Sequence, residues 1–371
     1  MKKVAIVILT AVLVLSFCST VNAVSISEVM KKAMVKLPFE KGDKNLLIMT
    51  NLGYSENSQI YYDDFVKEVL KLNLSLENNV QFVHSCYKEP LWFAFFNKSN
   101  GECLYMRISG GKIVKVTKAN ISADELLSKP EEFNAKMRAR IFDGNEFSII
   151  TIANVWASGM SWELKKSAEF HNHVCPGLIS GVMIADYLKK EMNSSNYCIV
   201  LATPVWCKDD ALQVIFDSTV GKRRMFARQL SSEQKKSLPS VFKNIAGVCV
   251  FWNRSEGKGT AYVLAFNWDQ VCMDSGVKES DLKNFSSYKW WWARLKMDLE
   301  MLKFINQPER YVQIVNMSKV NYETLQKLET AGENPLEVLG IEKQSNKSAP
   351  FPIEALVAGV LCAYVVRRRK T

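Results

Sequence analysis

The chain has 371 residues, of which 48% are hydrophobic, 23% charged and 11% aromatic. That composition belongs to a folded globular protein and excludes wholesale disorder and collagen-like repetition. The formal charge of +10 suggests a nucleic-acid binder only until it is localised. Lys2, Lys3, Arg367, Arg368, Arg369 and Lys370 sit at the two extremes, and residues 24–349 keep 42 basic against 37 acidic groups. The body carries no strong basic surplus, so nucleic acid is not an expected partner.

Residues 1–23 read as a secretory signal peptide. Lys2 and Lys3 give a basic start, Val4 to Phe17 an apolar run, and Val21-Asn22-Ala23 small side chains before a cleavage point at Val24. The run is short for a membrane span. Cys18 raises the idea of lipidation, which the bulky Phe17 disfavours. An uncleaved N-terminal anchor is the alternative.

In the first half, an apolar strand Leu46–Thr50 leads into a helix-like stretch, Tyr61–Leu72. A hairpin follows: strand Pro90–Phe96, turn Asn97-Lys98-Ser99-Asn100-Gly101, strand Glu102–Ile108. The second half repeats the order. A helix over Trp162–Phe170 precedes His171-Asn172-His173-Val174-Cys175-Pro176-Gly177, and helical spacing resumes over Leu178–Met192. Then come strand Ile199–Thr203, helix Asp209–Phe216 and a second hairpin, Cys249–Phe266, turning at Asn253–Gly257. We therefore expect a mixed α+β protein of two related sheet-and-helix domains in tandem, residues 24–150 and 151–330, the first degenerate. Two unrelated hairpins with similar turns are the alternative.

Trp290-Trp291-Trp292 precedes a helical stretch, Ala293–Phe304. It reads either as an aromatic wall over a cofactor or a membrane interface, or as a helix docked on the second domain. Residues 331–350 read as a polar linker. Residues 351–371 hold a short apolar run, Ala355–Val366, and the basic cluster, and read as a C-terminal membrane anchor or sorting tail of the kind found on archaeal surface proteins. Asn-X-Ser/Thr at Asn73, Asn97, Asn120, Asn193, Asn253, Asn284, Asn316 and Asn346 suggests a glycosylated exterior, or else simply Asn- and Ser-rich loops.

The dense chemistry lies in the second domain. Two of the three His fall beside Cys175. Pro176 suits the first turn of a helix and places Cys175 at its N-terminus, where the helix dipole favours thiolate. If the run is extended, His171, His173 and Cys175 share a face; if the first helix continues, His171 and Cys175 do. A second group, Trp206-Cys207-Lys208-Asp209-Asp210-Ala211-Leu212-Gln213, follows the strand. Cys207 falls near the strand's end, and Asp210 and Gln213 share a helix face. Imidazole plus thiolate is a zinc donor set, with a carboxylate as fourth ligand or outer partner.

His171-Asn172-His173-Val174-Cys175-Pro176-Gly177, with Gly181 and Ala185, resembles the leading motif of the FmdE family, the E-type subunits of formylmethanofuran dehydrogenase. Cys207, Asp210-Ala211 and Gln213 resemble its second motif, and Thr219, Gly221 and Lys222 part of its following turn. The resemblance spans roughly residues 160–270. It implies an α/β fold with a metal-binding His/Cys pocket: His171, His173, Cys175 and Cys207 as metal ligands, with Asp210, Gln213 and Lys222 around a bound cofactor. Asp217-Ser218-Thr219 stands where the family often has Gly-Cys-Thr, and Met183 where it often has Arg, which removes a sulfur and an anion contact. Formylmethanofuran chemistry itself is not expected, since the chain carries an export signal and no pterin or iron–sulfur cysteine array.

Competing readings concern the seven cysteines between the two ends. A Cys175–Cys207 bridge would remove both thiolates, and Cys86–Cys103 could bridge likewise. His84 reads as structural. Lys222-Arg223-Arg224 reads as an anion holder or a solvated turn. The expectation is an exported protein, anchored at the outer face of the cytoplasmic membrane or cell surface through its tail. It would hold zinc, another transition metal or a metal-bearing small molecule, with a homodimer left open. The alternative is an extracytoplasmic zinc- or thiol-dependent enzyme.

Overall fold

The computed structural model describes residues 24–192, 196–236, 238–242 and 244–341. The signal peptide, the C-terminal tail and the Asn193 and Asn346 sequons lie outside the described residues. Among those described, no helix is long and apolar enough to cross a membrane.

The first half builds strands Leu46–Thr50 (β1), Val80–Phe82 (β2), Leu91–Asn97 (β3), Glu102–Ser109 (β4) and Lys112–Asn120 (β5). The second builds Asn196–Ala202 (β6), Met225–Ala227 (β7), Ile245–Asn253 (β8), Lys258–Phe266 (β9) and Val312–Asn321 (β10). Each set forms one five-stranded sheet, ordered β2-β1-β3-β4-β5 and, correspondingly, β7-β6-β8-β9-β10. In both sheets the first two strands run parallel and every other neighbouring pair antiparallel. The fold is thus mixed α+β, with two sheet-and-helix domains in tandem.

Helices complete the correspondence. Ile26–Lys36 (α1) precedes β1, and Tyr62–Lys71 (α2) follows it. After β5 come Ala123–Ser128 (α3), Pro130–Arg138 (α4), Glu146–Ala157 (α5) and Trp162–His171 (α6). Pro176–Lys189 (α7) precedes β6 and Lys208–Ile215 (α8) follows it. Ser25 to Leu46 and Cys175 to Asn196 have the same spacing, so the cap of α1 corresponds to the cap of α7.

Alternation along the strands sorts the core into layers. Leu91, Phe93 and Phe95 of β3 face α1 and α2 in one cluster, with Ile26, Val29, Phe65 and Val69. Trp92, Ala94 and Phe96 face the other way, into the central cluster with α5, α6 and α7. β3 is buried along its whole length because both its faces are covered. The second sheet sends Cys198, Val200, Cys249 and Phe251 into the same central cluster. Ile199, Leu201, Val248 and Val250 face outward onto Tyr322–Glu329 (α12) and Pro335–Val338 (α13). The central core therefore belongs to both domains.

The repeats differ most between their last two strands. β4 and β5 are joined by the two-glycine turn Gly110-Gly111, both at positive φ. Between β9 and β10 the chain inserts Trp268–Ser275 (α9), Glu279–Leu282 (α10) and Lys289–Lys303 (α11). The tryptophan triplet lies inside α11 rather than before it. Trp291 is fully buried against Phe133, with its indole N–H on Asn134, and Trp292 donates to the Leu127 carbonyl. The triplet is a docking surface for α3 and α4, helices of the first half, not a wall over a cofactor.

Two other expectations change. The stretch read as linker is packed as far as Ile341: Leu336 is fully buried in the outer core of the second sheet. Asn97 and Asn253 are only 6% and 8% exposed. Their side-chain oxygens accept the N–H and O–H of Ser99 and Ser255, and Asn120 does the same with Ser122. At these positions the Asn-X-Ser pattern is turn chemistry, so it does not argue for glycosylation.

Candidate metal centre and cleft

The motif run joins two helices. Ser161 caps α6, whose last residue is His171. Asn172 then takes φ +67, a left-handed conformation that Asn tolerates better than most residues. Cys175 is extended and serves as the N-cap of α7, with Pro176 at the first turn. The chain is therefore neither a strand nor a continued helix here. A left-handed kink between two helices folds His171, His173 and Cys175 back on one another. The ends of this turn are tied down. The Val174 N–H donates to the Thr151 hydroxyl at 3.2 Å, and the His84 N–H, from beyond β2, donates to the Glu169 carbonyl at 3.0 Å.

One donor atom from each of His171, His173 and Cys175 lies within 4.8 Å of the other two. The His171 Nδ1–H donates to the Asp210 carboxylate at 2.6 Å, which presents Nε2 as the donor atom, 3.9 Å from the Cys175 sulfur. A tetrahedral zinc would hold such a nitrogen and sulfur about 3.6 Å apart, so small adjustments bring both onto one ion. His173 repeats the arrangement, with Nδ1 on the Asn172 side-chain oxygen at 2.8 Å. The two imidazoles lie 4.3 Å apart between centroids, and Phe147 packs on His173. A carboxylate behind a ligating histidine fixes its tautomer and raises its basicity. These three side chains fit a transition-metal ion in donor type and spacing.

Cys207 stands apart from that group. It caps α8, is 5% exposed, and shares with Cys175, 2% exposed, an open cleft of about 390 Å³. The close approach depends on two glycines. A Cβ on Gly177 would stand 3.1 Å from the Cys207 Cβ, and one on Gly181 would stand 2.4 Å from the Lys208 carbonyl oxygen. These contacts let α7 and α8 touch backbone to backbone. Both residues are thiols, as are all seven cysteines among the described residues, so neither bridge raised by the sequence forms.

Asp210 is placed by α8 to meet His171. Gln213 lies one turn further along that helix, and the cleft's lining does not include it. Lys222 is at the surface on Asp217, away from the cleft. Arg223 pairs with Glu329, and the Arg224 guanidinium stacks on Tyr197 at 4.1 Å. The Lys222-Arg223-Arg224 run is a set of surface contacts rather than an anion holder.

Two features were not legible beforehand. Lys208 is wholly buried: its ammonium donates to Asp209 at 2.6 Å and to the Pro204 carbonyl at 2.9 Å, and lies 4.1 Å over the Trp206 ring. Burial pushes this ammonium below its ordinary range, while Asp209 and the sulfurs of Cys249 and Cys207 pull it upward. The inserted segment also supplies Trp268, Leu282, Arg294 and Met297 to the cleft. No local signal marks them, because only the packing of α11 against α7 and α9 brings them there. No curated protein matches the chain. Residues 170–319, which open one residue before His171 and contain the turn, both sulfurs and the insertion, match the family model described as FmdE, molybdenum formylmethanofuran dehydrogenase operon, and the chain thus carries an FmdE-family domain.

Proposed function

We propose that this protein binds a transition metal, zinc by preference, in the His/Cys site of its second domain. The observation that carries this is the convergence of the His171, His173 and Cys175 donors within 4.8 Å of one another. Two imidazole nitrogens and one thiolate suit zinc, and Asp210 behind His171 is the outer partner that such a ligand needs. Cys207, across the cleft, is the fourth-ligand candidate. In this reading residues 1–23 export the chain and residues 351–371 hold it at the outer face of the membrane.

A second reading rests on the same place. Three protein ligands beside an open cleft is the pattern of catalytic zinc, in which the fourth position takes water or substrate. An extracytoplasmic zinc- or thiol-dependent enzyme would have this layout.

The test is elemental analysis of the full chain, purified under reducing conditions, beside His171→Ala and Cys207→Ser. One equivalent of metal in the wild type and loss in His171→Ala is expected. Retention in Cys207→Ser would assign three ligands and the catalytic layout; loss would assign a closed four-ligand site. Unchanged stoichiometric metal in both variants would end the proposal.

A further inference from the structure

The cleft beside the candidate metal centre has a second chemical identity, set by the inserted helices. Arg294 of α11 is 7% exposed and lines it. Among the described residues that line the cleft, Arg294 alone carries a formal charge. Its two hydrogen bonds, to the carbonyls of Leu282 at 3.1 Å and Trp290 at 2.7 Å, both leave from Nη1. The faces of Phe285 and Trp290 lie 5.7 and 5.8 Å from the guanidinium carbon and fix the plane of the group. This is a held, largely desolvated fork whose Nε and Nη2 N–H groups remain for a ligand.

The rest of the cleft agrees in sign. The N-termini of α7 and α8 both open into it, at Cys175-Pro176-Gly177 and at Cys207. Helix N-termini carry partial positive charge and favour anions. Opposite them, Trp206 and Trp268 meet edge to face with ring centroids 6.1 Å apart, and Met297 and Leu282 extend that apolar surface. A bare inorganic ion would leave this wall unused.

We propose that the cleft takes a small organic oxyanion, a carboxylate or phosphate ester with an apolar body. Arg294 binds the oxyanion, and the Trp206–Trp268 wall receives the body. This names the ligand class of the site proposed above and rests on that cleft being a binding site, but it does not require the metal. Met183 occupies the place where the sequence pattern leads one to seek an arginine. Arg294 brings a guanidinium to the cleft from a different part of the chain.

The experiment is calorimetric titration of the full chain with benzoate, phenyl phosphate, inorganic phosphate and the neutral benzyl alcohol. It is run with chelator-treated and with zinc-loaded protein. Benzoate or phenyl phosphate should bind at least about tenfold more tightly than benzyl alcohol and than inorganic phosphate. Which of the two leads identifies the headgroup. Arg294→Gln should erase the preference over benzyl alcohol, and Arg294→Lys should restore part of it. Equal binding of charged and neutral probes by the wild type, a comparison that needs no variant, would overturn the proposal. So would full oxyanion preference in a folded Arg294→Gln, or oxyanion binding seen only with zinc present, which would place the anion on the metal. Oxyanion binding that survives in His171→Ala while metal is absent from the wild type would sink the metal reading alone.

Discussion

The two domains share a strand order but close the same helix end in opposite ways. In the first, Ser25 caps α1: its hydroxyl accepts the Glu28 N–H, and the Glu28 carboxylate takes the Ser25 N–H at 2.7 Å. That reciprocal box satisfies the helix terminus from within. In the second, the corresponding residue is Cys175, which makes no side-chain cap and is followed by Pro176. The terminus opens into a cleft with a sulfur at its mouth. The same topology yields a sealed end where the cap is a hydroxyl and a binding site where it is a thiol. A second difference reinforces the first: β5 follows β4 through a tight turn, whereas the α9–α11 insertion before β10 delivers Trp268, Arg294 and Met297 to the cleft.

The largest expected effect tests the insertion. Trp291→Ala removes a fully buried indole packed on Phe133 and should destabilise the protein by about 3–5 kcal/mol in denaturant unfolding. A loss below about 1 kcal/mol would mean that α11 is not docked as described. Next comes the cap itself. Cys175→Ser copies the first domain's cap into the second. Metal affinity should fall by more than the roughly 10–100-fold that loss of an outer partner costs, while the melting temperature of the metal-free protein holds or rises. Asp210→Asn should weaken metal binding by about 10–100-fold, because the carboxylate orienting His171 becomes a neutral amide. An unchanged affinity would show that His171 needs no such partner.

The clamp that closes the insertion gives a pH test. Arg310 holds Asp274 bidentately at 2.6 and 2.7 Å, and the Tyr311 hydroxyl adds a third bond. The Arg310 hydrogen bonds, with smaller help from Tyr311 and Gln270, hold the Asp274 carboxyl down at about 2. Its pKa is lower folded than unfolded, so its stabilisation is complete above about pH 4 and is lost as pH falls through 2. Asp274→Asn should cost about 1–2 kcal/mol at neutral pH and flatten that acid limb. The smallest effect belongs to the sealed cap. Ser25→Ala should cost about 1 kcal/mol and leave metal content untouched, and any loss of metal would show that the two caps are coupled.

Much of the fold was readable in the sequence because its signals are local. The hairpins announce themselves by apolar runs flanking an Asn-basic-Ser turn with a glycine. The duplication shows in the recurrence of that hairpin after a strand and a helix. The α6–α7 junction was marked by Pro176, and the His/Cys motif by its spacing. Its geometry was not, because Asn172 turns left-handed where the sequence offered only an extended or a continuous helical run. The sequons misled for a related reason: Asn97, Asn120 and Asn253 serve their own turns.

By itself the sequence determined the α+β class, the tandem repeat and which residues can donate to a metal, since periodicity, turn chemistry and side-chain type are properties of neighbouring residues. The tertiary structure alone decided that Cys207 stands across a cleft from the His/His/Cys group and that Asp210 orients His171. It also decided that Arg294, far along the chain, lines the same cleft as both sulfurs. These depend on how closely α7 packs on α8 and where α11 docks, and such distances are set by packing between elements that no local pattern encodes.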